Sequence, residues 1–301
     1  ALDAVLGPYE GIPRKRATVV YGEPSSGKTL LAQLIIQASQ KNGGRTLFFD
    51  VERTYDPRWF ALTGVDLNPN LLKIVQPSNL EQTFDMITDA LENLQPDILV
   101  VDSIVAMVPK AVLKANMEDQ DFRGVSARKM TEGIKAITQT NVKTAVILIN
   151  QLRSSMQSGP YANPESLPGG KALKYHASLF IRCRRGKWLT DAGEGGDLGD
   201  VDEKDATRTG ALLRIRVEKN KVGPPWGECD IKYYFDGRVD QLSSIVHLAL
   251  MRGIIKQPSA GYFEVPGVEG KVHGRENLEQ QLRDDDKLRE KIVKEVKRDR
   301  V

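Results

Sequence analysis

Four stretches of the chain are apolar without alternation: Thr18–Tyr21, Thr46–Val51, Asp97–Ser103 and Ala145–Gln151. Between them the apolar positions fall at spacings of three and four. Leu30, Leu31, Leu34 and Ile35 form one such set, Phe84, Ile87 and Leu91 within Leu80–Leu94 a second, and Met130, Ile134 and Ile137 within Arg128–Thr140 a third. The first pattern predicts strands buried on both faces and the second predicts amphipathic helices, with Gly43-Gly44 and Pro96 ending two of them. Alternation of the two predicts an α/β fold with a mostly parallel, doubly wound sheet. Further runs at Leu179–Cys183, Ala211–Val217 and Asp230–Phe235 are expected to finish the sheet. From about Ser243 the pattern changes to a helix through Met251, turns at Gly253 and Gly261, and one charged helix over Asn277–Arg298. The predicted domains are therefore a core at 1–242 and a small α/β C-terminal domain at 243–301.

In such sheets ligands sit beyond the carboxyl ends of the strands. At the first strand end stands Gly22-Glu23-Pro24-Ser25-Ser26-Gly27-Lys28-Thr29, a G-x-x-x-x-G-K-[ST] phosphate loop flanked by a strand and a helix, as its chemistry requires. Its glycines let backbone N–H groups approach phosphate oxygens, and the helix N-terminus adds partial positive charge. Lys28 is then expected at the β- and γ-phosphates of ATP and the Thr29 hydroxyl on Mg²⁺. Other strand ends deliver Glu52, Asp102 and Gln151 to the same edge. Asp102 has the position of a second Mg²⁺-organising acid, and Glu52 could accept a proton from a water attacking the γ-phosphate.

Charge and cysteine content change this picture little. Lysine and arginine number 43 against 40 acidic residues, and the surplus of three neither demands nor excludes nucleic acid. Cys183 and Cys229 offer neither metal spacing nor a disulfide framework, which points to the reducing cytoplasm. No apolar run approaches the roughly 20 residues of a membrane helix, so no membrane partner is expected. Arg153–Gly170, rich in Ser, Gly and Pro, is a long polar segment of the kind that is functional inside compact domains.

The ordered set Gly22–Thr29, Asp50-Val51-Glu52, Asp56-Pro57, Val100-Val101-Asp102-Ser103, Asn150-Gln151-Leu152-Arg153, Gly169-Gly170, Ala172-Leu173-Lys174-Tyr175 and Lys219-Asn220-Lys221 resembles the bacterial-type RecA recombinases, including their phage-encoded relatives. The resemblance implies a P-loop NTPase core of RecA type and a DNA-dependent ATPase. It implies assembly of copies into a helical filament on single-stranded DNA, with homologous double-stranded DNA as second partner for strand exchange. A ring helicase on the same core is the alternative.

By resemblance, Glu52 is the catalytic base and Gln151 the γ-phosphate switch. Asp56 and Trp59 contact adenine, and Lys219 and Lys221 reach ATP on the neighbouring subunit, doing the work of an arginine finger. Lys110–Gly124 and Arg153–Gly170 correspond to two DNA-facing loops. These, with the helix that follows the first, place Arg123, Arg128, Lys135, Arg153, Met156, Tyr161, Gly169, Gly170 and Lys171 against DNA. Arg184, Arg185, Arg214 and Arg216, with Arg182 and Lys187 nearby, form a second basic set for the incoming duplex. The acidic segment 191–205 departs from the family's usual length.

Overall fold

The computed structural model describes residues 1–7, 11–114, 123–154, 165–168, 170–190, 193–194 and 207–298. Two compact units emerge, one of Ile12–Arg184 with Glu218–Val222, the other of Ala1–Gly11, Arg185–Val217 and Gly223–Val301.

The first unit is built on β1 (Arg16–Gly22), β2 (Thr46–Asp50), β3 (Leu72–Val75), β4 (Ile98–Asp102) and β5 (Ala145–Gln151). With the start of the strand Leu179–Thr190, the order is Leu179–Thr190, β1, β5, β4, β2, β3, every pairing parallel. All of β2 and β4 is buried, as is β5 up to Asn150, which is why these runs show no alternation. On one face the helices Leu80–Asp89, Arg123–Thr140 and Gly170–His176 contribute Phe84, Ile87, Met130, Ile134, Ile137 and Leu173 to a continuous core with Val19, Phe49, Val101 and Leu148. Register decides function here: Gly22 lies opposite Gln151, and Asp50 opposite Asp102.

Several elements depart from the sequence pattern. The predicted helix Leu80–Leu94 is α-helical to Asp89 and closes in a wider π turn over Ala90–Leu94. The helix predicted from Arg128 begins at Arg123. β3 and the helix Pro57–Leu62 carried no clear signal, being four and six residues long. The charged C-terminal helix is two, Arg275–Asp284 and Asp286–Arg298. The break is Asp285, which is extended and whose Oδ1 accepts from Leu288 N at 3.0 Å; an aspartate that can cap a new helix competes with continuing the old one.

In the second unit, the portion of strand Arg208–Asn220 from Gly210 to Arg216 pairs antiparallel with Glu228–Tyr234. The helix Gln241–Met251 packs on Glu228–Tyr234, and Lys256–Ser259, Tyr262–Glu264 and Val272–His273 form a small antiparallel sheet.

Gly133 sits where the helix Arg123–Thr140 meets Leu80–Asp89, and a Cβ there would lie 2.3 Å from the Phe84 ring. Alanine favours helix over glycine by about 1 kcal/mol, but overpacking a core costs about 1–3 kcal/mol. Gly133→Ala is therefore expected to lower the unfolding midpoint in a thermal melt; a raised midpoint would show that Phe84 yields freely.

Candidate nucleotide and DNA site

The phosphate loop turns on two left-handed residues, Ser25 at φ 57° and Gly27 at φ 84°. Gly27 is the N-cap of the helix Lys28–Gln40. At Gly22 a Cβ would lie 2.1 Å from the Cys183 carbonyl oxygen and 2.6 Å from Ser26 Oγ, so only glycine fits the first position. Ser26 is 3% exposed and its hydroxyl has no hydrogen-bond partner. A buried orphan hydroxyl beside unsatisfied helix N-terminal N–H groups matches a phosphate oxygen acceptor. Lys28 Nζ donates to the Glu23 carbonyl at 2.7 Å, folding the ammonium over the loop. Burial lowers its pKa, while Cys183, Asp102, Glu52 and Glu23 favour its charged form.

Beside the loop, Thr29 Oγ1 donates to Asp102 Oδ2 at 2.6 Å. A hydroxyl and a carboxylate this close are a donor set that suits a hard cation such as Mg²⁺. Glu52 accepts from Gln151 Nε2 at 2.8 Å and from the Ser103 hydroxyl. The four strand ends thus meet as the register requires. Ser103 was not foreseen as a partner, although it directly follows Asp102. Asp50 is a different kind of acid: buried, it accepts from Thr54 N, Tyr55 N and Gln76 Nε2 and so holds the turn after Glu52. Asp56 caps the helix Pro57–Leu62, accepting from Arg58 N and Trp59 N, which leaves Trp59 half-buried in the first turn.

Lys219 and Lys221 are placed where no sequence signal pointed. Lys219 Nζ donates to the Lys174 carbonyl and to the Ala177 carbonyl at 2.9 Å, and Lys221 Nζ to the Tyr175 carbonyl at 2.8 Å. Both ammonium groups therefore satisfy the C-terminal end of helix Gly170–His176, the end that favours cations.

The segment after Gln151 is fastened at its base. Leu152 N donates to the Gly22 carbonyl at 3.1 Å, Arg153 and Ser154 pair antiparallel with Ser166 and Glu165, and the buried Asn150 donates from Nδ2 to the Pro168 carbonyl at 2.7 Å. Met156, Tyr161 and Gly169 lie outside the described residues, as does most of 191–205. The backbone of Arg123, Arg153, Gly170 and Lys171 is described, the side chains of the arginines and the lysine are not. Arg128 and Lys135 share an exposed helix face, with Arg128 Nε 3.1 Å from Glu132 Oε1. Arg184 is exposed. Arg182 departs from the basic set: it is half-buried and its Nη1 lies 3.6 Å from Glu218 Oε1. In the second unit Arg214 pairs with Asp230 and Arg216 with Glu228, each at 3.1 Å, and Arg185 lies over the Trp188 ring at 4.5 Å. The Arg216–Glu228 pair is exposed on both sides, and pairs of that kind are worth under about 1 kcal/mol, whereas Asp230 is largely buried.

Comparison with known proteins agrees with the geometry. Residues 1–240 match the RecA N-terminal domain family. The chain belongs to the RecA family. It is 36% identical over 299 residues to Protein RecA of Chlorobium chlorochromatii, covering 99% of this chain and 79% of that one. To Protein RecA of Thermus aquaticus it is 34% identical over 297 residues, covering 98% and 82%. The RecA core and a mostly parallel sheet are thereby established, as are nucleotide binding and the family activity: DNA-dependent ATP hydrolysis and recombination by a DNA-bound filament. Among the described residues no helix is long and apolar enough to cross a membrane.

Burial pushes the Asp102 carboxyl up from 3.8 to about 6, with the Thr29 hydrogen bond and Lys28 opposing and Glu52 and Asp50 adding to the rise. A carboxyl raised on folding contributes stability below its unfolded pKa and loses it as pH rises through the folded value. The window is therefore about pH 4 to 6, and above it the charged form is a burden. Asp102→Asn is expected to raise the melting temperature of nucleotide-free protein at pH 7.5 by several degrees, with the gain fading towards pH 4. An equal gain at both pH values would remove Asp102 as its source.

Proposed function

We propose that copies of this chain assemble as a helical filament on single-stranded DNA, with ATP and Mg²⁺ on Gly22–Thr29 and homologous duplex as the second DNA partner. The cytoplasm is the compartment, in keeping with two cysteines that are both buried. The catalytic core would be residues 1–242. The observation that carries the reading is the Gln151 Nε2 bond to Glu52 Oε1 at 2.8 Å. It joins the residue that opens the DNA-facing segment to the carboxylate proposed as base.

In this reading Lys28, the Ser26 hydroxyl and the loop N–H groups bind the phosphates, and Asp56 and Trp59 flank the adenine. Thr29 and Asp102 would hold Mg²⁺, which when bound supplies charge neutralisation for the transferring phosphoryl group. Glu52, clamped by Gln151 and Ser103, orients the attacking water and takes its proton once Gln151 turns to the γ-phosphate. That turn pulls on Leu152 and the segment behind it, where Arg153, Met156, Tyr161, Gly169, Gly170 and Lys171 face single-stranded DNA with Arg123, Arg128 and Lys135. Arg184, Arg185, Arg214 and Arg216 receive the duplex. Lys219 and Lys221 leave their helix carbonyls to meet the ATP of the adjoining subunit.

Glu52→Gln is expected to lower kcat by about 10²–10⁴-fold, the usual contribution of a general base, while nucleotide affinity is kept; loss of affinity would remove Glu52 from that role. Lys28→Ala should abolish ATP-dependent filaments in electron micrographs. Charge reversal of Lys219 and Lys221, mixed with Lys28→Ala protein, should restore turnover at junctions where an intact ATP face meets intact lysines. No recovery at any ratio would count against action in trans.

A further inference from the structure

Tyr21 and Glu218 are 197 residues apart in sequence, yet the Tyr21 hydroxyl donates to Glu218 Oε2. Each stands one residue from a proposed ATP contact. Tyr21 precedes Gly22, where the phosphate loop begins, and Glu218 precedes Lys219. The remaining carboxylate oxygen lies 3.6 Å from Arg182 Nη1, and the side chains of Arg182 and Glu218 are 14% and 27% exposed. Tyr21 itself is 6% exposed. A hydroxyl bonded to an ionised carboxylate is among the stronger hydrogen bonds, and a partly buried one is screened little by salt. A second path runs beside it. The Tyr21 ring meets Phe180 edge-on at 6.1 Å, and Lys219 Nζ lies 5.4 Å from the centre of the Phe180 ring.

We infer that Tyr21 and Glu218 are positioning residues that tie a subunit's own nucleotide loop to the reach of its lysines toward the neighbour's ATP. The inference rests on the proposed action of Lys219 and Lys221 in trans. Coupling needs an element with two arrangements. The lysines supply it, parked here on the carbonyls of Lys174, Tyr175 and Ala177 and extended when they reach across. A phosphate filling the loop shifts the end of β1, and the Tyr21–Glu218 bond passes that shift to the residue before Lys219. Occupied subunits would thereby prime hydrolysis next door, and hydrolysis in the filament would respond cooperatively to ATP.

The test measures DNA-stimulated hydrolysis against ATP concentration in the full chain, for Tyr21→Phe, Glu218→Ala and the double variant. Tyr21→Phe keeps the ring and its packing. Binding of a fluorescent ATP analogue to DNA-free protein reports the loop alone. The expected result is a Hill coefficient falling towards one in each variant and a loss of kcat/KM of about fivefold or more, the usual size of a coupling between sites. Affinity of the DNA-free protein should be unchanged, and the double variant should be no worse than Glu218→Ala alone, because Tyr21→Phe then removes only the donor of a bond whose acceptor is already gone. An unchanged Hill coefficient in Tyr21→Phe, additive losses in the double variant, or a Hill coefficient of one in the unaltered protein would each overturn the inference. Mixing lysine variants separates the two levels. Recovery there beside an unaffected Tyr21→Phe sinks the inference alone, and no recovery sinks the trans reading with it.

Discussion

Backbone hydrogen bonding in a sheet with both faces covered admits no slippage, since a shift of one residue turns every side chain over. The parallel register of β1, β5, β4 and β2 is therefore the constraint on which the site depends. It sets Gly22 opposite Gln151 and Asp50 opposite Asp102, so that Asp102 and Gln151 arrive at the phosphate loop on strand ends and Glu52 on the bend two residues past β2. The chemistry then follows from what burial does to each arriving group. Lys28 and Asp102 are held in a pocket that penalises both charges, and the mutual attraction of opposite charges offsets part of that penalty. In the proposed function, a nucleotide phosphate and a divalent cation would complete the balance that the side chains alone leave unfinished.

In the proposed function, control of the site would lie in contacts that are replaced, not added. Gln151 would release Glu52 to serve the γ-phosphate, and Lys219 and Lys221 would leave a helix cap to serve a neighbour. Each of these three donor groups has a resting acceptor of moderate strength in the free chain. Exchange of one acceptor for a charged phosphate is favourable because charge-assisted hydrogen bonds are the stronger kind.

Much of this was legible from residue order. The continuous apolar runs reported β1, β2, β4 and β5, and the Gly–Lys–Thr spacing reported the loop, because burial on both faces and phosphate contact each leave a strong pattern. β3 and the helix Pro57–Leu62 are too short to show a period. The split at Asp285 was hidden because a run of three aspartates looks like one polar helix face until one of them caps. Contacts made by long side chains across the fold had no local signature at all. Ser103 on Glu52, Glu218 on Tyr21 and the lysines on helix carbonyls depend on distances that only tertiary packing sets.

The base of the DNA-facing segment bears on how this protein can vary. Arg153 and Ser154 pair with Ser166 and Glu165, and Asn150 holds the carbonyl of Pro168, so the two ends of the intervening stretch are already brought together by the scaffold. The entropy of closing that loop is met by the ladder and depends only weakly on contour length, each doubling adding about 0.6 kcal/mol. Residues between Ser154 and Glu165 can therefore be lengthened or exchanged at little cost to the ATPase unit. Asn150 and the paired positions, by contrast, are tied into the scaffold and tolerate exchange less.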